Sequence, residues 1–544
     1  MFRKIGTALL FLAILMKVGA QSPEIGKEKH LFFHDIQTDT NHHLVPWNNS
    51  DPAASYDEIL HLCWNYWKNV PGYWMRKIPD FKQKFGIEFP PLYLLFRTHD
   101  PADMGIGGDQ FAMMLSSFNL WYDYTGDQAV LDNMIFQADW YLAHSLSSPT
   151  CLWPNIPYPC NTEKIPVYDG DLVIGKGFTQ PDKAGSFGYE LVMLSKKTGN
   201  KKYLDAAIKI ANTLASQTKE GDHDHSPLPF KVNTETGATG FILSKDRKGK
   251  IESAYTSNWT GTLRLYQQLI QMNAGDQLAY QESFGKITKW LQQYPLANNR
   301  WGPFFEDIDS WSDTEINAGT MASFIMDNPD WVPDWKQKVR GIQKWVSDTL
   351  GIPYWKQYGV TVIGEQTAYI IQGQSHTSRN AAIEMRYAEL TGDQSRVEEA
   401  IRQLNWCTYA VDVDGKNRWT DFDSYELWWT DGYGDFIRHY LRAMASNPEL
   451  ALPENHLLRS SSVIQKITYE KKKIIYTTFD ANSEELVRMK EKPKMVLADG
   501  KKLKELKPNS QDPQEGWSWQ RQRLAKGGVV KVNHMHGYKV EIKQ

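Results

Sequence analysis

From about residue 55 to residue 450, apolar residues recur every three to four positions, the period of amphipathic helices. The helical segments come in pairs joined by tight turns. The turn is Tyr124-Thr125-Gly126-Asp127 in the first copy. It recurs as Lys197-Thr198-Gly199-Asn200, Asn273-Ala274-Gly275-Asp276 and Leu390-Thr391-Gly392-Asp393. The glycine suits the left-handed position that ends a helix, and the Asp or Asn after it caps the next one. Two degenerate copies, Asp327-Asn328-Pro329-Asp330 and Ala445-Ser446-Asn447-Pro448, use proline as the stop. First helices are expected to start near Gly108, Ser186, Asn258, Glu315, Ser378 and Asp431. Second helices are expected near 128–145, 200–217, 277–293, 331–350 and 394–410. The missing second helix is upstream, in the amphipathic stretch from Tyr56 to Trp67. Six and six close a ring. The first set is the more apolar, as in Phe111-Ala112-Met113-Met114-Leu115, and is expected inside; the second set should form the outer wall.

After about residue 455 the pattern shortens to strands, for example Lys473-Ile474-Ile475-Tyr476-Thr477-Thr478 and Val529-Val530-Lys531-Val532. A small all-β domain, sandwich-like, is expected over 455–544, with a linker around Asn447-Pro448-Glu449-Leu450. The toroid-forming part covers 21–454. Residues 1–20 read as a signal peptide: a basic start at Arg3-Lys4, an apolar run from Leu9 to Met16, and small residues at Gly19-Ala20. An exported protein, periplasmic or secreted, is expected, with no membrane span because no later apolar run is long enough.

Charge and cysteines narrow the picture. With 61 basic and 64 acidic residues the net charge is -3, so a dominant nucleic-acid footprint is excluded. The 21 Trp and 26 Tyr exclude disorder as the main state and suit stacking on sugar rings. Export permits disulfides. Cys151 and Cys160 bracket a proline-rich loop and are expected to bridge locally; Cys63 and Cys407 are expected to be neighbours where the ring closes. No metal-ligand spacing stands out: Asp222-His223-Asp224-His225 reads as a polar turn. No metal and no cofactor are expected.

The paired helices and their Thr-Gly-Asp turns resemble the (α/α)6 toroid of the six-hairpin glycosidase superfamily over about residues 55–450. That fold hosts glycoside hydrolases, unsaturated glucuronyl hydrolases, sugar epimerases and polysaccharide lyases, so the resemblance implies a carbohydrate substrate and leaves the reaction open. Unsaturated glucuronyl hydrolases place a catalytic Asp at the start of each of two consecutive inner helices. Asp109 matches the first. The second helix, read as opening at Ala184-Gly185-Ser186, lacks an acid there, and Asp182 lies upstream.

In a toroid the loops before the inner helices build the cleft, and the helix N-termini favour anionic groups. Candidates therefore sit at those starts. Asp109 and Glu315 are the expected acid and base, each in a first helical turn. Asp307, Asp309, Glu426 and Asp431 are alternative carboxyls. Arg379, His376, Asn258, Trp259, Trp311 and Trp429 are expected to bind the sugar, with Arg379 matching a uronate carboxylate. Hydrolysis of a uronic-acid-containing poly- or oligosaccharide needs two carboxyls flanking the bond. The competing β-elimination needs a base near C5 of a uronate, for which Tyr189, Tyr255 and His376 are candidates. A third class is a glycan-binding protein on a catalytically dead toroid.

Overall fold

The computed structural model describes residues 34–77, 83, 108–160, 162, 167–306, 308–368, 370–415, 417, 431–508, 514–523 and 526–544, with backbone only at 69–77, 108–110 and 431–434. Twelve helices make the ring. They are α1 (Pro52–Lys77), α2 (Gly108–Thr125), α3 (Gln128–His144), α4 (Pro181–Thr198), α5 (Lys201–Gln217) and α6 (Thr260–Gln271). Then come α7 (Gln277–Gln293), α8 (Glu315–Asp327), α9 (Trp335–Leu350), α10 (Gln374–Thr391), α11 (Val397–Thr408) and α12 (Asp431–Ser446). The even-numbered helices each pack on the next, and α12 returns to α2, so the inner ring closes. The odd-numbered helices lie outside against their hairpin partners, and α1 fills the gap between α11 and α12.

The turns behave as their residues dictate. Gly126, Gly199, Gly275 and Gly392 all take φ between 69° and 79°. Asp127, Asn200 and Asp276 cap α3, α5 and α7, accepting from the backbone N–H of Ala129, Lys202 and Ala279. After Gly392 the Asp393 carboxylate accepts from Ser395 instead, because α11 starts later, at Val397. Ring closure is fastened from both sides of α1. Tyr56 Oη donates to Asn405 Oδ1 at 2.6 Å, and Trp64 Nε1 donates to Asp127 Oδ2 at 2.8 Å. Trp121, Trp259, Trp301, Trp355 and Trp406 are among the largest fully buried side chains, so much of the tryptophan serves the core.

No disulfide links the four cysteines, so the expected Cys151–Cys160 bridge is not formed. Cys151 Sγ is turned to the Ser148 carbonyl at 3.0 Å, while Cys160 is buried in a backbone turn paired with Gly170. Cys63 and Cys407 are both fully buried close to Tyr440, and Cys407 Sγ points at the Gln374 carbonyl at 3.3 Å. Burial holds both thiols well above the ordinary range.

Two antiparallel sheets follow α12. Their strands are β1 (His456–Ser460), β2 (Ile464–Glu470), β3 (Lys473–Thr478), β4 (Ser483–Met489), β5 (Met495–Ala498), β6 (Lys501–Lys502), β7 (Gly516–Arg521), β8 (Gly528–His534) and β9 (Lys539–Lys543). One sheet has the order β2-β3-β9-β5-β6, the other β7-β8-β4-β1. Strands β1 and β2 pack on the C-terminal ends of α2 and α4. His456 stacks on Tyr124 with ring centroids 3.9 Å apart, Tyr469 Oη donates to the Asp123 carbonyl, and Lys197 Nζ donates to the Ile464 carbonyl at 2.7 Å. The expected linker is not loose: Leu450 and Ala451 are buried, and Arg488 Nε donates to the Ala451 carbonyl. The sheets therefore cover one end of the ring and leave the N-terminal ends of the inner helices for the site.

Candidate active site

At the α4–α6 side of that open end, two glycines draw the helices together. A Cβ on Gly185 would lie 1.9 Å from Thr262 Oγ1, and one on Gly261 would lie 2.1 Å from Ser186 Oγ, so nothing larger fits either place. The contact brings the first turn of α4 against the residues preceding α6. Pro181 opens α4, and Asp182, its second residue, is fully buried. Asp182 Oδ2 accepts from Asn258 Nδ2 at 2.9 Å and lies 3.3 Å from Lys183 Nζ; Oδ1 has no partner among the described residues. Lys183 is also held, donating to the Phe304 carbonyl with its ammonium 3.4 Å from that ring's centroid. Burial pushes the Asp182 carboxyl up, and it outweighs the opposing pull of Lys183 and Asn258. The expectation that no acid opens this helix is corrected: the helix begins earlier than its apolar pattern suggests, and Pro181 was the local sign.

On the opposite side, α8, α10 and α12 meet in a charged chain. Glu315, the first residue of α8, is fully buried and accepts from Arg379 and from His376 Nδ1, the latter at 2.8 Å. Arg379 also pairs with Asp435 of α12, and Asp435 accepts from Arg438 and lies 2.9 Å from His439 Nε2. Gly319 leaves the room, since a Cβ there would lie 3.0 Å from Arg379 Cδ. The two imidazoles are driven apart. Burial disfavours charge on His376, but its hydrogen bonds with Glu315 and Glu365 outweigh this and raise it above the ordinary value. His439 is held well below its ordinary value by burial and by the nearby Arg379 and Arg438. Asp435 and His439 lie i, i+4 on inner helix α12, a signal the sequence reading passed over.

The remaining candidates divide clearly. The Asp109 and Asp431 side chains, and Asp307, Glu426 and Trp429 entirely, lie outside the described residues. Asp309 is a surface carboxylate 3.0 Å from Arg247 Nη2. Arg379, expected to grip substrate, is committed to two internal carboxylates. Tyr255 donates its hydroxyl to the Arg300 carbonyl at 2.7 Å, and burial pushes its phenol up. Tyr189 is likewise raised by burial, so neither phenol is disposed to act as a base. Trp259 is a core residue, fully buried and donating to the Thr256 carbonyl; Trp311 is buried against Tyr255 and the Arg300 guanidinium. Among the described residues no group of three or more His, Cys, Asp or Glu is placed to hold a metal, and no helix is long and apolar enough to cross a membrane.

Neither a protein-family model nor a curated protein sequence matches the chain. Solved structures do. The cellobiose 2-epimerase from Spirochaeta thermophila DSM 6192 is 13% identical with a TM-score of 0.50, over 65% of this chain and 89% of that one. A sugar epimerase from a ruminal bacterium is 12% identical, with a TM-score of 0.48 over 68% of this chain and 95% of that one. A family 76 glycoside hydrolase from a bovine Bacteroides thetaiotaomicron strain is 12% identical, with a TM-score of 0.46 over 73% of this chain and 78% of that one. The likeness is one of fold, and it makes this chain a six-hairpin (α/α)6 toroid.

Proposed function

We propose that this chain is an exported carbohydrate-active enzyme that hydrolyses a glycosidic bond in a poly- or oligosaccharide containing uronic acid. The observation that carries the reading is Asp182: a carboxyl in the first turn of an inner helix, raised by burial, with Oδ1 free of partners among the described residues. A protonated Oδ1 is a donor for the leaving oxygen, while Asn258 holds Oδ2 and fixes the plane of the group. Asp109 opens the preceding inner helix and is the second carboxyl, so the pair matches the pattern of unsaturated glucuronyl hydrolases. Glu315, bound by Arg379 and His376, becomes a positioning residue. The fold shared with a cellobiose 2-epimerase supports a sugar substrate, and the positive ends of six inner helices support an acidic one.

A second reading, β-elimination, is favoured by His376, whose imidazole sits between Glu315 and Glu365 and titrates above its ordinary value. Products separate the two. Digests of acidic oligosaccharides are assayed for new reducing ends and for the ultraviolet absorbance of an unsaturated uronate. Hydrolysis yields the ends without new absorbance; equal yields of both would establish elimination.

A further inference from the structure

Below the open end, the inner ring encloses a lumen of about 550 Å3. Met113, Phe304 and Ile316 narrow it towards the mouth, and strand β1 with Ser461, Ser462 and Asp480 borders it at the other end. This space is not apolar. Glu190 of α4, Arg264 of α6, and Arg438 and Arg442 of α12 all line it.

Two of these cations are committed. Arg264 Nη2 donates to Asp327 Oδ2 at 2.7 Å, and Arg438 Nε donates to Asp435 Oδ1 at 2.6 Å. Arg442 is not. Among the described residues its only polar contact is a long one, 3.4 Å to Ser116 Oγ, and no carboxylate lies within ion-pair distance. The ring surrounds Arg442, yet its own surface is open, so its guanidinium stands in the lumen space. Glu190 also stands without a hydrogen bond or ion pair among the described residues. Burial pushes its carboxyl up to about 7 despite the three nearby arginines. At neutral pH the lumen thus holds a guanidinium with no fixed counter-charge, beside a carboxyl that is half protonated. A guanidinium that faces open space without a fixed partner is available to an incoming anion.

We propose that the lumen around Arg442 is a binding site for a small oxyanion, a carboxylate or sulfate group that is free or carried on a sugar, separate from the catalytic carboxyls at the mouth. Arg442 supplies the charge-assisted bond, with Arg264 and Arg438 adding to the field. Ser116, Asn119 and Gln268 offer further polar contacts along the wall.

Calorimetric titration of the full chain with sodium sulfate, sodium glucuronate and glucose, at matched ionic strength in chloride, tests this. Saturable binding of sulfate or glucuronate, but not glucose, is expected. Binding of sulfate alone assigns a free ion, and binding of glucuronate alone a sugar-borne carboxylate. Arg442→Gln should weaken binding by about tenfold or more, the worth of one charged hydrogen bond. Arg442→Lys should recover part of the loss. Glu190→Gln, which removes the competing negative charge, should tighten binding roughly threefold at neutral pH. Asp182→Asn should leave the titration unchanged, which separates this site from the mouth. No saturable binding of either anion, equal binding of glucose, or full binding by Arg442→Gln would each overturn the proposal.

Discussion

The two sides of the mouth use buried charge in opposite ways. On the α8–α10–α12 side, Glu315, Arg379 and Asp435 neutralise one another within a closed chain. On the α4–α6 side, Asp182 has a cation and an amide on one oxygen and, among the described residues, no partner on the other. Glu315 Oε1 also lacks a hydrogen-bond partner among the described residues, so the sides differ in charge. Guanidinium and carboxylates that neutralise one another brace the wall, whereas the Asp182 carboxyl, raised by burial, is poised to carry a proton. On the proposed reading Glu315 and Arg379, the strongest-looking sequence candidates, form a brace, and Asp182, read from the sequence as lying upstream of its helix, carries the chemistry.

The largest effect that sharpens this contrast is on stability. Arg379→Ala strands two buried carboxylates and should cost about 3–5 kcal/mol in denaturant unfolding. Replacement of Asp182 by Asn keeps the shape of the Asn258 contact and should cost far less. A small loss for Arg379→Ala would break the claim that this side is a brace.

The next effect concerns the lumen and has a definite sign. Burial pushes the Glu190 carboxyl up to about 7 in the folded chain, against an ordinary value of 4.5. The neutral form is therefore favoured by folding. Its contribution is complete below pH 4.5 and is lost as pH rises through 7, by about 3 kcal/mol in total at 1.36 kcal/mol per unit. Glu190→Gln should remove that decline, so the variant gains on the wild type from mildly acid to alkaline pH. Parallel stability–pH curves for the two proteins would contradict it. The smallest effect is at the hairpins: Asp127→Ala removes both the α3 cap and the partner of Trp64 Nε1, and should lower stability by about 1–2 kcal/mol.

What was legible in the sequence was local. The Gly-Asp and Gly-Asn turns fix a left-handed residue and a cap within four positions, so four of the second helices followed, and the proline stop at Pro329 placed a fifth. The packing of Tyr56 and Trp64 of α1 at the ring seam followed from counting helices. What failed were properties set across the ring. Arg379 reads as free until Asp435, on another helix, is placed beside it. Trp259 reads as a platform until its burial is known. Asp182 needed only closer attention to Pro181, because proline in a first turn marks a helix start that hydrophobic periodicity places too late. Cysteine spacing likewise does not reveal that Cys151 turns towards a carbonyl.

The most direct test sets the two sides against each other in one assay. Turnover of an acidic oligosaccharide is compared for wild type, Asp182→Asn and His376→Asn, with binding followed separately. Loss of general-acid catalysis predicts that Asp182→Asn lowers kcat by at least about 10²-fold with KM little changed. His376→Asn should fall less, because that imidazole braces the opposite wall. Near-wild-type kcat in Asp182→Asn, together with its collapse in His376→Asn, would contradict the account and place the chemistry on the imidazole.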